Sequence, residues 1–332
     1  MRSVSPVQIS GVGCYVPERR LTNLDLEKIV DTSNKWIQQR TGISERRIND
    51  PKKASSDMAV EAVKSLCSSS GLDPQDIELL IIATVTPDMF FPSTACLVQD
   101  KLGICRTWGF DVSAACCGFV YALSVGVSFV ASGMYRRVVV VGADTMSRII
   151  DYQDRNTCVL FGDGAGSVLL EPAVQSENSF IDAYHEIDGS GRDSLYMPAG
   201  GSSMPSSGET VSKRLHYVKQ DGRPVFKFAT RKMEESSRII LERNNVLPEN
   251  LRLLIPHQAN ARIILGTAKR LGLRENQVIL NLHKYGNTTA ATIPLGIQDA
   301  LLNRQLEKGD LVLLASVGAG FTVGTALLRW AY

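Results

Sequence analysis

Residues 72–81 read LDPQDIELLI and residues 247–255 read LPENLRLLI, with the prolines and the apolar runs in register. An amphipathic stretch precedes each copy, and a second helical stretch follows each copy. Each copy then leads to a turn with a reactive or polar residue, Cys116 or Asn287, and to an apolar strand. The order of elements is therefore predicted to be the same in two halves of the chain.

Alternating helices and fully apolar strands predict the fold class. Such strands are typical of parallel sheets that helices cover on both faces, so two halves should stack into a layered α/β/α/β/α body. The boundary is expected near Pro172, which gives an N-terminal half, 1–172, and a C-terminal half, 173–332. Residues 176–224 are rich in Gly, Ser and Asp, which predicts irregular excursions over the surface.

Composition excludes several classes of protein. The 332 residues are 44% hydrophobic with a formal net charge of +2, which allows a large core and gives no general case for nucleic acid or membrane binding. Seven cysteines without a CxxC pair argue against a disulfide framework and a zinc site, so we expect a reduced, cytoplasmic protein. Residues 1–6 lack the apolar core of a signal peptide. Residues 112–134 carry no charge, but their Gly, Ala, Ser and Cys predict a buried helix rather than a membrane span.

Three stretches supply candidate catalytic side chains. Cys116 lies in DVSAACCGF between a predicted strand and a helix, where free helix N–H groups are expected to lower a thiol pKa. His257 in PHQAN and Asn287 in YGNTTAA each follow a strand or occupy a turn, as catalytic side chains commonly do. A lone cysteine in a helix is more often a packed thiol, and it is the histidine and asparagine that favour a reaction centre.

Other motifs have structural interpretations. The glycine run 162–166 lacks the GK[ST] ending of a phosphate loop and is expected to be a tight turn. Asn260 is predicted to cap a helix, a role that is compatible with ligand binding. No chemical role is assigned to Cys117 or to the remaining histidines, which are His185, His216 and His283.

The three stretches resemble the β-ketoacyl-acyl carrier protein synthase III family. Three further motifs carry the same resemblance: DTS leading to WIQQRTGI at residues 31–43, FGDGAG at residues 161–166 and GAGFTVGTA at residues 318–326. The resemblance covers essentially the whole chain and implies the layered thiolase-like fold. It implies initiation of fatty acid synthesis: Cys116 accepts an acyl group, expected to be acetyl, from an acyl-CoA. Malonyl-acyl carrier protein then loses carbon dioxide and condenses with that group to give a 3-oxoacyl-acyl carrier protein. His257 and Asn287 would stabilise the enolate, with no metal or other cofactor.

The resemblance also implies binding residues. Backbone N–H groups of Cys116 and Ala319 would form the oxyanion site of the acyl-transfer step. The coenzyme A contacts would be Trp36, Arg40, Arg155 and Asn260. The carrier-protein contacts would be Gln258, Ala259, Asn260, Ala261, Arg262 and Lys269. Phe91 aligns with a residue that crosses a subunit interface, which implies a homodimer.

Several alternatives stay open on sequence alone. Val317 stands where relatives commonly have an aromatic residue, so primer length and branching are open. A related condensing enzyme of secondary metabolism with a non-acetyl primer has the same three catalytic residues. A non-catalytic partner protein would lack at least one of the three, and all are present. A degradative thiolase would carry a second catalytic cysteine near its C-terminus, whereas the last cysteine here is Cys158.

Overall fold

The computed structural model describes residues 5–332, so residues 1–4 of the N-terminal stretch lie outside it. The strands are β1 (Val7–Tyr15), β2 (Arg20–Thr22), β3 (Glu45–Arg47), β4 (Leu79–Ala83), β5 (Trp108–Val112), β6 (Val138–Asp144), β7 (Gly164–Pro172), β8 (Phe180–Ile187), β9 (Leu195–Tyr196), β10 (Lys219–Gln220), β11 (Leu253–Pro256), β12 (Leu311–Gly318) and β13 (Thr322–Arg329). The helices are α1 (Asn23–Leu26), α2 (Asn34–Thr41), α3 (Ser55–Ser70), α4 (Thr94–Leu102), α5 (Gly118–Ala131), α6 (Gly208–Ser212), α7 (Gly222–Arg243), α8 (Ala261–Arg270), α9 (Leu282–Tyr285) and α10 (Thr292–Leu302).

Two mixed sheets form the frame of the molecule. The first has the order β1-β7-β6-β4-β5 and the second has the corresponding order β8-β13-β12-β11. Strands β4, β5 and β6 run parallel, as do β11 and β12, whereas β1, β7, β8 and β13 add antiparallel pairs. The prediction of parallel sheets was therefore wrong for β1, β7, β8 and β13. Only residues 319–321 join β12 to β13, which is too short for a parallel crossover.

Alternate residues of the central strands pack into different layers. In the first sheet, Ile81 and Val140 join the core around α5 and α10, which lie between the sheets. Ile82 and Val141 point the other way, into the core beneath α3 and α4. On the second sheet, Leu313 faces α7 and α8. This is the predicted α/β/α/β/α layering.

The two halves are intimately joined. Leu26 of α1 and Ile37 of α2 pack into the same core cluster as α7 and α8, so N-terminal residues complete the core on the second sheet. Strand β7 ends at Pro172 and β8 begins the second sheet at Phe180. The division into residues 1–172 and 173–332 stays a prediction.

The region 176–224 is more regular than expected. Phe180–Ile187 forms β8, which pairs antiparallel with β13 and whose outer residues are half-buried or exposed. Its polar, half-exposed pattern is that of a sheet edge, and this concealed the strand in a Gly- and Ser-rich region. The charge-free segment behaves as predicted, because α5 begins at Gly118 and is buried between the sheets. Within residues 5–332, no helix has the length and apolarity needed to cross a membrane.

Candidate active site

A cavity of about 590 Å³ brings the three candidate catalytic residues together. Cys116, His257 and Asn287 all line it, although they come from different turns of the two halves. One face of α7 forms its wall, and this face consists of Gly222, Val225, Phe226, Ala229 and Met233. This wall was not predicted from the sequence, where its signal is the spacing of those residues along one helix face.

Cys116 lies in a short 3₁₀ turn, Ala115–Cys117, directly before α5. Its carbonyl accepts a 2.7 Å hydrogen bond from Ser316 Oγ of β12. At the end of β12, a Cβ on Gly318 would lie 2.9 Å from the Cys116 nitrogen, so this strand end needs a glycine. The second sheet therefore supports the cysteine turn that the first half provides.

The charge state of Cys116 differs from the prediction. Burial raises the pKa of its thiol, and the nearby Cys117 and Asp144 side chains raise it further. A backbone hydrogen bond opposes these effects without overcoming them. The expected lowering of the pKa by the helix N-terminus was thus wrong for this unliganded site, because desolvation outweighs it. The thiol is neutral at pH 7.

Asn287 is fixed through its backbone and one side-chain atom. Its N–H donates to the Leu160 carbonyl at 2.9 Å, and its carbonyl accepts from the Gly162 N–H at 2.9 Å. Its Oδ1 accepts a 3.0 Å hydrogen bond from the Thr289 N–H. Since this bond sets which side-chain atom is the oxygen, the Asn287 amide nitrogen is left as a donor to a ligand in the cavity.

His257 follows β11 and is held by a 2.8 Å hydrogen bond from its backbone N–H to the Ala315 carbonyl. Burial lowers the pKa of its imidazole to about 3, so the ring is neutral. Nδ1 is buried and has no hydrogen-bond partner among residues 5–332. Nε2 is therefore the ring nitrogen available to a ligand, and with the proton on it the ring is a donor.

The position of Gln258 contradicts its predicted role as a carrier-protein contact. It is only 1% exposed. Its Nε2 donates to the carbonyls of Pro256 and Ile279, at 2.9 and 3.0 Å, while its Oε1 accepts the N–H groups of Asn281 and Leu282. A side chain whose hydrogen-bonding groups are all used inside the protein cannot contact a docked protein. The structure thus corrects this part of the expected carrier-protein surface.

Asn260 caps α8, as expected. Its Oδ1 accepts the Arg262 N–H at 2.9 Å, and its Nδ2 donates to the Arg40 carbonyl at 3.0 Å. Trp36, Arg40 and Asn260 all line the cavity. The Arg155 guanidinium already lies 4.5 Å from the centre of the Trp36 ring, whereas a base held between the two needs about 7 Å, or two van der Waals contacts. A nucleobase would therefore have to displace Arg155 from the indole or stack elsewhere.

Exposed cations lie on α7 and α8, two helices that contribute residues to the cavity lining. Arg262 is exposed on α8 with its guanidinium 4.9 Å from the ring of Phe226, a cavity-lining residue. Lys269 is exposed on the same helix, and neither cation forms an ion pair with any residue that the structure describes. Lys227 and Arg231 of α7 are also exposed, and they were not predicted from the sequence as part of a binding surface. Ala259 lines the cavity, and Ala261 is half-buried at the start of α8.

The glycine-rich turn after β12 also reaches the site. Val317 and Gly318 line the cavity. Ala319 is half-buried in the following turn and is not among the cavity-lining residues, and its carbonyl accepts a 3.2 Å hydrogen bond from Thr322 Oγ1. The predicted oxyanion role of the Ala319 N–H stays a prediction.

Residues with predicted structural roles lie elsewhere. His185 contacts Ser124 Oγ at 2.8 Å, and His216 contacts Thr210 Oγ1 at 2.9 Å, both outside the cavity. The tight turn expected at residues 162–166 is not formed, because Gly164, Ala165 and Gly166 are the first residues of β7. Throughout the described part of the chain, no three His, Cys, Asp or Glu side chains are grouped as metal ligands would be.

Comparison with known proteins was consistent across sequence and structure. Residues 110–189 match the family described as 3-oxoacyl-[acyl-carrier-protein (ACP)] synthase III, and residues 241–330 match its C-terminal part. The β-ketoacyl-[acyl-carrier-protein] synthase III of Solibacter usitatus is 55% identical over 327 residues, covering 98% of this chain and 99% of that protein.

Two solved structures are also similar. The 3-oxoacyl-[acyl-carrier-protein] synthase III of Aquifex aeolicus is 42% identical with a TM-score of 0.90, covering 98% of this chain and 100% of that one. The priming β-ketosynthase of the R1128 polyketide biosynthetic pathway is 32% identical with a TM-score of 0.92, covering 100% of this chain and 98% of that one.

Proposed function

Because the chain belongs to the β-ketoacyl-acyl carrier protein synthase III family, which starts fatty acid synthesis by condensing an acyl-CoA with malonyl-acyl carrier protein, we propose that Cys116, His257 and Asn287 perform its two half-reactions. The observation that carries this assignment is their convergence on one cavity of about 590 Å³. Thiol, imidazole and carboxamide are the groups that thioester exchange and enolate stabilisation need.

In the first half-reaction, the Cys116 sulfur attacks the carbonyl carbon of the acyl-CoA. The carbon–sulfur bond to coenzyme A breaks, and the proton of the resting thiol leaves with the coenzyme A thiol. A neutral thiol suits a buried site, because a resting thiolate there would be desolvated. The N–H groups of Cys116 and Ala319 are proposed to bind the oxyanion of the tetrahedral intermediate.

In the second half-reaction, malonyl-acyl carrier protein loses carbon dioxide and its thioester becomes an enolate. The amide nitrogen of Asn287 and the Nε2–H of His257 donate to the enolate oxygen. The enolate carbon then attacks the acyl-Cys116 carbonyl, and the Cys116 thiolate departs and takes a proton from solvent. A neutral His257 suits this role because it needs no proton change to donate.

Coenzyme A is proposed to enter past Trp36, Arg40 and Asn260, with Arg155 moving off the indole to admit the base. The carrier protein is proposed to rest on Arg262 and Lys269, near Ala259 and Ala261. Lys227 and Arg231, which are exposed on α7, are proposed to add to this basic surface. Unpaired surface cations attract an acidic protein chiefly by speeding its association.

A homodimer is proposed from the first sheet. Strand β5 lies at the sheet edge, and its Trp108 is 44% exposed. Phe90 and Phe91, in the loop before α4, are 82% and 85% exposed. An unpaired strand edge beside exposed aromatic rings is typical of a surface that a partner covers.

All seven cysteines are free, which fits the proposed cytoplasmic location.

Acetyl-CoA is the proposed primer, and a longer or branched primer is the second candidate. The second candidate is favoured by Val317, which lines the cavity with a small side chain. Incubating the protein with a panel of acyl-CoA thioesters and weighing it intact tests both. A single acyl adduct on Cys116 that malonyl-acyl carrier protein removes supports the proposal. Absence of any adduct, or an adduct on another cysteine, contradicts it.

A further inference from the structure

Asp144 is a buried carboxylate that the catalytic scheme does not use. It ends β6 and is completely buried. Its Oδ1 accepts hydrogen bonds from Thr84 Oγ1 at 3.1 Å, the Val85 N–H at 2.8 Å, and the Thr86 N–H and Oγ1 at 3.2 and 2.9 Å. Its Oδ2 accepts one hydrogen bond, from the Ala290 N–H at 3.1 Å. The carboxylate thus joins the loop after β4 to the turn that carries Asn287.

Burying a carboxylate is costly, and here no cation offsets the cost. Within residues 5–332 no salt bridge involves Asp144. Burial raises the pKa of Asp144 to about 6, although its backbone and hydroxyl hydrogen bonds oppose that shift. A neutral side chain at a strand end would avoid the desolvation penalty. We therefore expect the Asp144 carboxylate to have a function that outweighs its desolvation penalty.

The two halves provide an internal comparison. The same sequence offset relates Pro74 to Pro248, the Cys116 turn to the turn Thr289–Ala291, and Asp144 to Gly318. Each strand end supports the turn of the other half: Gly318 of β12 adjoins the Cys116 nitrogen, and Asp144 of β6 accepts the Ala290 N–H. The carboxylate thus occurs only at the strand end that supports the Asn287 turn.

We propose that Asp144 is a positioning residue for the condensation half-reaction, because its Oδ2 anchors the Ala290 N–H and so fixes the direction of the Asn287 amide. The inference rests on the proposed role of Asn287 as an enolate donor. Asp144 does not line the cavity and is not assigned a contact with substrate. Asn287 depends on the same turn through the bond between its Oδ1 and the Thr289 N–H, one residue before Ala290.

Asn cannot replace Asp144 in this arrangement. In Asp144→Asn, the single oxygen would stay with the four donors from Thr84, Val85 and Thr86. The new NH₂ group would then face the Ala290 N–H, and two donors cannot bond to each other. The opposite orientation would place the NH₂ group against the four donors. Asp144→Asn therefore releases the turn while leaving side-chain size unchanged.

The experiment compares Asp144→Asn with Asp163→Asn. Asp163 is an equally buried carboxylate, and its acceptor oxygens bond to Asn49 and Ser147 rather than to a catalytic turn. Acylation is followed by intact mass with acetyl-CoA, and condensation by carbon dioxide release from malonyl-acyl carrier protein. For Asp144→Asn we expect acylation within about threefold of the parent and decarboxylation lowered about ten- to a hundredfold. For Asp163→Asn the ratio of the two rates should not change.

A second readout follows the cysteine itself. The charge of Asp144 contributes to the raised pKa of Cys116, so Asp144→Asn should shift the pH dependence of Cys116 alkylation by iodoacetamide to lower pH. Asp163→Asn should leave it in place. That shift follows from the loss of the Asp144 charge and shows that the variant keeps the native arrangement around Cys116. A merely structural role for Asp144 would lower the yield of folded protein and slow both half-reactions by the same factor, and that result would overturn the proposal.

If Asp144→Asn does not fold, Thr84→Val removes one donor to Oδ1 and keeps side-chain size, and it should lower decarboxylation selectively to a smaller extent. An unchanged ratio in Thr84→Val would then overturn the proposal. Asn287→Ala distinguishes the underlying assumption. If Asn287→Ala decarboxylates normally, the proposed role of Asn287 fails. If Asn287→Ala loses decarboxylation but Asp144→Asn decarboxylates normally, only the positioning role of Asp144 fails.

Discussion

Replacing Asn287 by Asp tests its proposed role in enolate stabilisation with minimal disturbance of the fold. Asp has nearly the same shape, and one carboxylate oxygen can still accept the Thr289 N–H, which lies 3.0 Å from Oδ1 in the native protein. The fold of the turn should therefore survive. What changes is the atom that faces the cavity, because a donating amide nitrogen becomes an oxygen that cannot donate when ionised.

The size of the effect follows from the loss of one donor. Removing one such donor from an oxyanion costs about a hundred- to a thousandfold in rate, or about 2.7–4 kcal/mol. The new oxygen adds repulsion toward the enolate, so the upper part of that range is expected for malonyl decarboxylation. Acylation of Cys116 should stay within about threefold, because its proposed oxyanion donors are the N–H groups of Cys116 and Ala319.

The assay separates the two half-reactions. Acyl transfer from acetyl-CoA is followed by intact mass, and decarboxylation by carbon dioxide release from malonyl-acyl carrier protein. Asn156→Asp is the matched control, because Asn156 also lines the cavity but is exposed. If Asn287→Asp decarboxylates within about threefold of the parent, Asn287 is not an enolate donor. Equal losses in both variants would show that any carboxylate in the cavity repels the substrate.

Three further outcomes are expected. Cys116→Ala should give no acyl adduct by intact mass with any acyl-CoA, and an adduct in that variant would place the nucleophile elsewhere. Because burial raises the pKa of Cys116, its alkylation rate in the unliganded protein should keep rising above pH 9, and a plateau near pH 7 would contradict this. Arg262→Glu should raise the KM for malonyl-acyl carrier protein much more than that for acetyl-CoA, and the native KM should rise with salt. Lys308→Glu, at an exposed cation remote from the cavity lining, should change neither, and equal effects of Arg262→Glu on both substrates would argue against docking there.

The sequence determined the repeat, the layers and the three candidate catalytic residues that the cavity brings together. Local residue types and spacing carry this information, since buried strands must be apolar and the helices that cover them must be amphipathic. The second proline-led copy, residues 247–255, indeed leads into β11 (Leu253–Pro256), which has the same sheet position as β4. The cap at Asn260 followed in the same way, because a helix N-terminus needs a side-chain acceptor.

The tertiary structure decided whatever depends on residues distant in the sequence. It reversed the expected pKa shift of Cys116, because desolvation of the buried thiol outweighs the effect of the adjacent helix. It withdrew Gln258 from the surface and showed Arg155 stacked on Trp36. It also revealed the carboxylate of Asp144 beside the Asn287 turn, a contact between residues 146 positions apart in the chain. Desolvation and hydrogen-bond geometry arise only when the two halves pack together. They therefore could not be predicted from local sequence patterns.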